Sequence, residues 1–132
     1  MKLLAFILNI PWTLLGFVAA MFSLPMKVEV KKEFISLIIK VRSFWWHHLF
    51  TGKKRARGMA IGHVVLLAPS ADELDLKHEL IHVEQMIREP FIHPFLTAIE
   101  NLRFGYRGNK YEREAYERSG SRYFEDGNIT PF

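Results

Sequence analysis

The chain has 132 residues, 49% of them apolar and 24% charged, enough for one domain and not for a second. An aromatic content of 14% excludes a disordered tail, and the absence of Cys excludes disulfide scaffolds, zinc ribbons, thiol catalysis and iron–sulfur ligation, so any metal must be held by His, Asp or Glu. The net charge of +4 and the pI near 9.5 suit nucleic acid or an anionic membrane face equally well, and the placement of the charges decides between them.

The first element in the chain is uncharged from residue 3 to residue 26, interrupted by Asn9, Pro11, Thr13 and Ser23. About 20 apolar residues suffice to cross a bilayer core as a helix, so residues 1–26 are expected to form a transmembrane anchor. A signal peptide cleaved at Val18-Ala19-Ala20 and a bent hairpin around Pro11 that enters one leaflet are the competing readings. Lys27, Lys31, Lys32, Lys40 and Arg42 follow the segment and Lys2 alone precedes it. The positive-inside rule then predicts a single-pass membrane protein with residues 27–132, one domain, in the cytoplasm. Lys53-Lys54-Arg55-Ala56-Arg57 adds a basic surface, either facing anionic headgroups or solvated as a loop after Gly52. No nucleic-acid-binding motif accompanies these charges, and no nucleic acid partner is expected.

Between the anchor and residue 69 the pattern is that of a small β-sheet. Lys27-Val28-Glu29-Val30-Lys31 alternates, residues 34–41 are dense in β-branched side chains, and residues 58–67 end in a buried-looking strand. Residues 44–50, rich in aromatics, fit a strand or a membrane-interface segment. His47 and His48, adjacent in a strand, cannot converge on one ion.

The second half reads as helical, so the fold class is α+β. Ser70 and Glu73 form a capping box opening a helix to about Arg88, on which Leu76, Leu80, Val83 and Ile87 make one apolar stripe. A second helix is expected from Pro94 to about Phe104, and a third from about Asn109 to Gly120, which supplies a C-terminal cap. His93, between Ile92 and Pro94, has no evident partner.

Chemistry is concentrated in His78-Glu79-Leu80-Ile81-His82, an H-E-x-x-H pattern inside the first of these helices. Residues i and i+4 share a helix face, so the two imidazoles can meet one zinc ion, and Glu79 is placed to take a proton from a water on the metal. The apolar stripe lies on a different face, so packing and ligation do not compete. A catalytic zinc site needs a third protein ligand, and no further His follows at metzincin spacing. A carboxylate must fill the position; Glu84, Glu89 and Glu100 are available, and Glu112 and Glu114 stand out in a tract reading YEREAYE.

Glu112-x-x-Ala115-Tyr116 resembles the E-x-x-A-D/N segment on the glutamate helix of gluzincin metallopeptidases, with Tyr116 where those families carry Asp or Asn. Residues 62–67 followed by KHELIHVEQ are similar to the strand and helix of small gluzincin-like domains with HEL-x-H-x-x-Q. The likeness spans residues 58–118 and implies a minimal gluzincin-like fold: sheet, H-E-x-x-H helix and glutamate helix. It implies Glu112 as the third ligand with Glu114 as the fallback, and Gln85 as a residue that orients a ligand or caps the site. It also implies that the strand before the metal helix is the edge on which an extended peptide pairs. Two residues apart on a helix is about 200° of rotation, so only one of Glu112 and Glu114 can face the metal, and turning Glu114 inward would bury more charge. The expectation is a membrane-anchored, zinc-dependent peptidase holding one Zn2+ and acting on a peptide or protein, with Tyr116, Tyr106, His63 or backbone N–H groups helping at the oxyanion. A non-catalytic, membrane-associated zinc-binding interaction module is the alternative; an intact Glu79 favours chemistry.

Overall fold

The computed structural model describes residues 1–51, 57–121, 123–125 and 128–130. Helices α1 (Lys2–Leu8) and α2 (Ile10–Phe22) lead into strand β1 (Pro25–Lys31), a short turn of 3-10 helix and strand β2 (Ser36–Val41). Helix α3 (Trp45–Thr51) and the strands β3 (Gly58–Ile61) and β4 (Val64–Leu67) follow. The second half holds helices α4 (Glu73–Arg88), α5 (His93–Gly108) and α6 (Lys110–Ser119), then the short strands β5 (Tyr123–Glu125) and β6 (Asn128–Thr130). The class is therefore α+β. The basic tract at residues 53–56 and the side chain of His48 lie outside what is described.

The main sheet has the order β1-β2-β4-β3, with β2 and β4 parallel at its centre and antiparallel partners on both sides. Continuous apolar runs belong at such a centre, because both faces are covered. The period of two along β2 and β4 divides the core accordingly. Ile39, Val41, Val64 and Leu66 pack with Ala20 of α2 on one face, while Ile38, Val65 and Leu67 pack with Val83 of α4 on the other. Leu76, Leu80 and Ile87, the expected stripe, complete the α4 side. The sheet is thus a layer between α2 and α4, and α4 carries the H-E-x-x-H residues on its remaining face.

Residues 3–26 do not form one continuous helix. α1 and α2 meet at Asn9 with a bend of 66°, and β1 already begins at Pro25; among the described residues no single helix is long and apolar enough to cross a membrane, and α1 and α2 reach that length and composition only as a bent pair. The break has a cause in Asn9, which is fully buried. Its Nδ2 contacts His63 Nε2 at 3.1 Å and donates to the Met86 carbonyl at 3.0 Å, and its Oδ1 accepts from the Phe91 N–H at 2.7 Å. Three tertiary hydrogen bonds fix the corner, and Pro11 starts the next helix where its missing N–H costs nothing. α2 then lies directly on the β3–β4 turn: a Cβ on Gly16 would stand 2.6 Å from the Ile61 carbonyl oxygen, and one on Gly62 would stand 2.3 Å from the Thr13 nitrogen.

Other elements differ in detail from expectation. Where a strand or a membrane-interface segment was expected at residues 44–50, Trp45–Thr51 is helical: Trp45 Nε1 donates to the Phe22 carbonyl at 2.7 Å and Trp46 Nε1 to Ser23 Oγ at 2.6 Å, which clasps α3 onto the end of α2. The capping box of α4 is Asp72–Asp75, not Ser70–Glu73. Asp72 accepts from Asp75 N–H at 3.0 Å while Asp75 accepts from Asp72 N–H at 2.9 Å, and Arg57 reinforces Asp75 at 3.0 Å. Residues 58–67 form a hairpin turning at Gly62–His63, and its second strand, β4, is the buried strand expected at the end of this stretch.

Candidate metal centre

Helix α4 places His78 and His82 one turn apart, and α6 packs across it to bring Glu112 to them. His78 Nε2 and His82 Nε2 are 3.1 Å apart, and Glu112 Oε2 lies 3.3 Å from each. Four-coordinate zinc with bonds of about 2.0–2.1 Å separates its ligand atoms by roughly 3.3 Å, so this triangle has the dimensions of three corners of a tetrahedron. These three residues could hold a metal ion.

The surrounding hydrogen bonds fit a cation. Gln85 Oε1 lies 2.8 Å from His82 Nδ1 and can only accept, so it fixes the tautomer that keeps a proton on Nδ1 and leaves the Nε2 lone pair free. Ser121 Oγ sits 3.0 Å from His78 Nδ1 and can do the same there. Two Nε2 lone pairs facing each other and a carboxylate oxygen are mutually repulsive unless a positive charge sits among them. Glu112 Oε2 is buried without a hydrogen-bond partner of its own, as expected of a donor atom reserved for an ion.

Electrostatics follow from the same packing. Burial raises the cost of the Glu112 charge, yet the imidazoles of His82 and His78 outweigh it and hold the carboxyl well below the usual range. Burial also opposes charge on His82, but the Glu112 carboxylate pushes its pKa up to about 9, so a proton and a metal compete for one place. Glu79 is buried beside this group, and desolvation raises its pKa against the opposing pull of His82 and His78.

α6 is oriented from its start. Asn109 caps it by accepting from Tyr111 N–H at 2.9 Å and donates to Thr97 Oγ1 and Asn101 Oδ1 on α5 at 2.9 and 2.8 Å. Ala115 is fully buried between α6 and its neighbours. Fully buried Gln85 donates to the Tyr111 carbonyl at 2.9 Å and contacts Glu114 at 3.2 Å, so one side chain holds α6, α4 and the His82 ring together.

Glu114 is turned away from the imidazoles and pairs with Arg88 at 2.6 Å and Arg118 at 3.1 Å. Glu84 pairs with Arg118, Glu89 accepts from the Tyr111 hydroxyl, and Glu100 accepts from the Lys110 N–H. Tyr116 packs its ring on His78 at 4.3 Å, and its hydroxyl is 3.0 Å from that of Tyr106. Burial, the Glu112 charge and Tyr116 raise the Tyr106 pKa, which keeps its hydroxyl protonated. Gly105, at φ 73 and ψ 173, makes the kink in α5 just before Tyr106, a conformation nearly exclusive to glycine.

His63 is not part of this centre. It sits at the β3–β4 turn with its ring against Phe6 at 5.1 Å and Nδ1 3.1 Å from the Phe34 carbonyl oxygen, and burial lowers its pKa. The hairpin turn removes it from the strand position expected of it, and it lines instead an apolar cavity of about 340 Å³ with Phe6, Phe17 and Ile35. The edge strand also differs: β4, directly before α4, is paired on both sides, so the edges are β1 and β3, of which β3 lies beside Glu79. A Cβ on Gly58 of β3 would stand 3.0 Å from Glu79 Cγ, so glycine leaves the room that Glu79 uses.

Ser121 and Gly58 were not legible as site residues. Ser121 has no motif, and its link to His78 spans 43 positions. No family model, curated protein or solved structure matches the chain.

Proposed function

We propose that the protein is a membrane-associated zinc metallopeptidase. The observation that carries this reading is Glu79, a buried carboxyl with a raised pKa beside three side chains spaced as zinc ligands. His78, His82 and Glu112 would hold the ion, Gln85 and Ser121 would fix the two imidazoles, and Glu114 would act only through Gln85. Zinc bound there would supply Lewis acidity, polarising a peptide carbonyl and acidifying water.

The remaining work falls to the chain's own groups. Glu79 takes the proton that water loses on adding to the carbonyl carbon, and passes it to the amine nitrogen as the C–N bond breaks. Tyr116, whose ring packs on His78, and Tyr106, whose hydroxyl meets that of Tyr116, would donate to the oxygen that gains charge. The outer edge of β3, beside Glu79, offers backbone hydrogen bonds to an extended substrate.

The test is a set of purified variants analysed for metal and for hydrolysis of a quenched peptide library. Glu79→Gln is expected to keep one zinc per chain and lose hydrolysis, whereas His78→Ala and His82→Ala lose the zinc. Wild-type protein that holds zinc and cleaves nothing, or a Glu79→Gln protein as active as wild type, overturns the hydrolytic reading.

A further inference from the structure

Two separate segments of this protein, the α1–α2 pair and α5, turn apolar side chains outward. From residue 3 to residue 26 the polar side chains Asn9, Thr13 and Ser23 are buried with Ala5, Gly16 and Ala20, and every exposed residue is apolar. Leu14, Leu15, Phe17, Val18, Met21 and Phe22 face outward along α2. α5 also turns an apolar stripe outward, beside exposed Asn101, Arg103 and Arg107. Its polar side is bound to the protein through Thr97, Asn101 and Glu100, which contact Asn109 and Lys110. Its exposed stripe is Phe95, Ile99 and Leu102 at helical spacing, with Leu102 87% exposed.

The two faces are continuous. Trp12 of α2 packs on Phe91 and Phe95 at 6.0 and 5.5 Å, and its Nε1 donates to the Phe91 carbonyl at 2.8 Å. Exposed basic residues adjoin these segments along the chain: Lys2 at the start of α1, Lys27, Lys31 and Lys32 after α2, Arg103 and Arg107 near the end of α5.

We propose that this face, made by α1, α2 and the Phe91–Leu102 side of α5, lies in the plane of one leaflet of an anionic bilayer, so that the protein is monotopic and both termini stay on the same side. Lipid is favoured over a second copy of the chain because a protein interface needs roughly one hydrogen bond per 100–200 Å², and the outer side of α2 offers no polar side chain at all. A spanning arrangement is disfavoured by geometry. α2 is 13 residues, about 20 Å against a hydrocarbon core of about 30 Å, and it is attached along its length to the sheet through Thr13, Gly16, Ala20 and Ser23. Crossing would drag the charged β1 edge, with Lys27, Glu29 and Lys31, into the membrane. Arg and Lys at the rim can reach headgroups while apolar side chains enter the acyl region. This inference does not depend on the hydrolytic reading.

The full chain lacks Cys, so single labels are clean. Leu15→Cys and Leu102→Cys, each carrying an environment-sensitive fluorophore, would be transferred from detergent to vesicles of phosphatidylcholine with a minor share of phosphatidylglycerol. Both labels are expected to shift to the blue and to be quenched by spin labels in the outer leaflet. Tags at both termini should be digested by external protease. Ile99→Glu with Leu102→Glu should lower vesicle partitioning about tenfold or more without changing metal content. A protease-protected N-terminal tag means a span, and a label at 102 that stays in water means α5 is not part of the face. A blue shift that needs protein concentration rather than vesicles means a second copy covers it. Each of these three results overturns the proposal.

Discussion

Gln85 contacts both His82 and Glu114, and this divides the labour between two carboxylates only two positions apart. Glu112→Gln should weaken zinc binding by orders of magnitude, because one of three charged or basic donors is replaced by a neutral amide. Gln85→Leu leaves the His82 tautomer unfixed and should cost about 10–100-fold in zinc affinity, with Glu114→Gln changing it least. Competition titration against a zinc-binding dye ranks the three, and a Glu114→Gln loss exceeding that of Glu112→Gln would mean α6 is rotated. His93 gives a separate test. It is buried against Tyr111 and its pKa is lowered to about 4, first by burial and then by the His82 charge. A depressed folded-state value means the contribution of neutral His93 is complete above about 6.5 and is lost as pH falls toward 4, by up to about 3 kcal/mol. Urea unfolding at pH 7 and pH 4.5 should differ less in His93→Phe than in wild type. The His78–His82 spacing was readable because it is local. Glu112 was assigned only by resemblance, and Ser121, Gly58 and the Tyr106–Tyr116 contact arise from how helices and strands meet in space.

Among the elements, α5 joins two jobs across one glycine. Its first three turns carry the outward apolar stripe, and past the Gly105 kink the chain turns so that Tyr106 meets Tyr116. Nothing lies within 4 Å of a Cβ built on Gly105, so Gly105→Ala is opposed by backbone conformation and not by collision. The expected cost is about 1–3 kcal/mol in thermal unfolding, with a loss of peptide turnover larger than any loss of zinc. Unchanged turnover would remove Tyr106 from the chemistry. Element types were mostly readable from period, as in the exposed β1 and the stripe of α4. Boundaries went wrong where two equivalent devices competed: Asp72 and Ser70 are both good caps, and the reach of Arg57 to Asp75 favours the former.

For the whole molecule, total hydropathy records less than the fold does. Residues 3–26 have the apolar content of a membrane span, but content does not record which side of a helix is polar, and here Asn9, Thr13 and Ser23 all turn toward the body. Asn9→Ala would strand the Met86 carbonyl, the Phe91 N–H and one nitrogen of His63 together. At about 1–3 kcal/mol for each buried group left unsatisfied, most of the stability of a domain this size is at stake. Chemical unfolding in mild detergent should register a fall of several kcal/mol in Asn9→Ala, and a near-wild-type midpoint would show that water replaces the amide there. That corner also orders events in time. Asn9 and its partner Phe91 are 82 positions apart, and at about 5–20 residues per second a ribosome takes roughly 4–16 s to make the second after the first. For that interval the nascent chain carries an apolar hairpin whose Asn9 still lacks its partner, and whichever surface receives it must be one from which the rest of the fold can still be built.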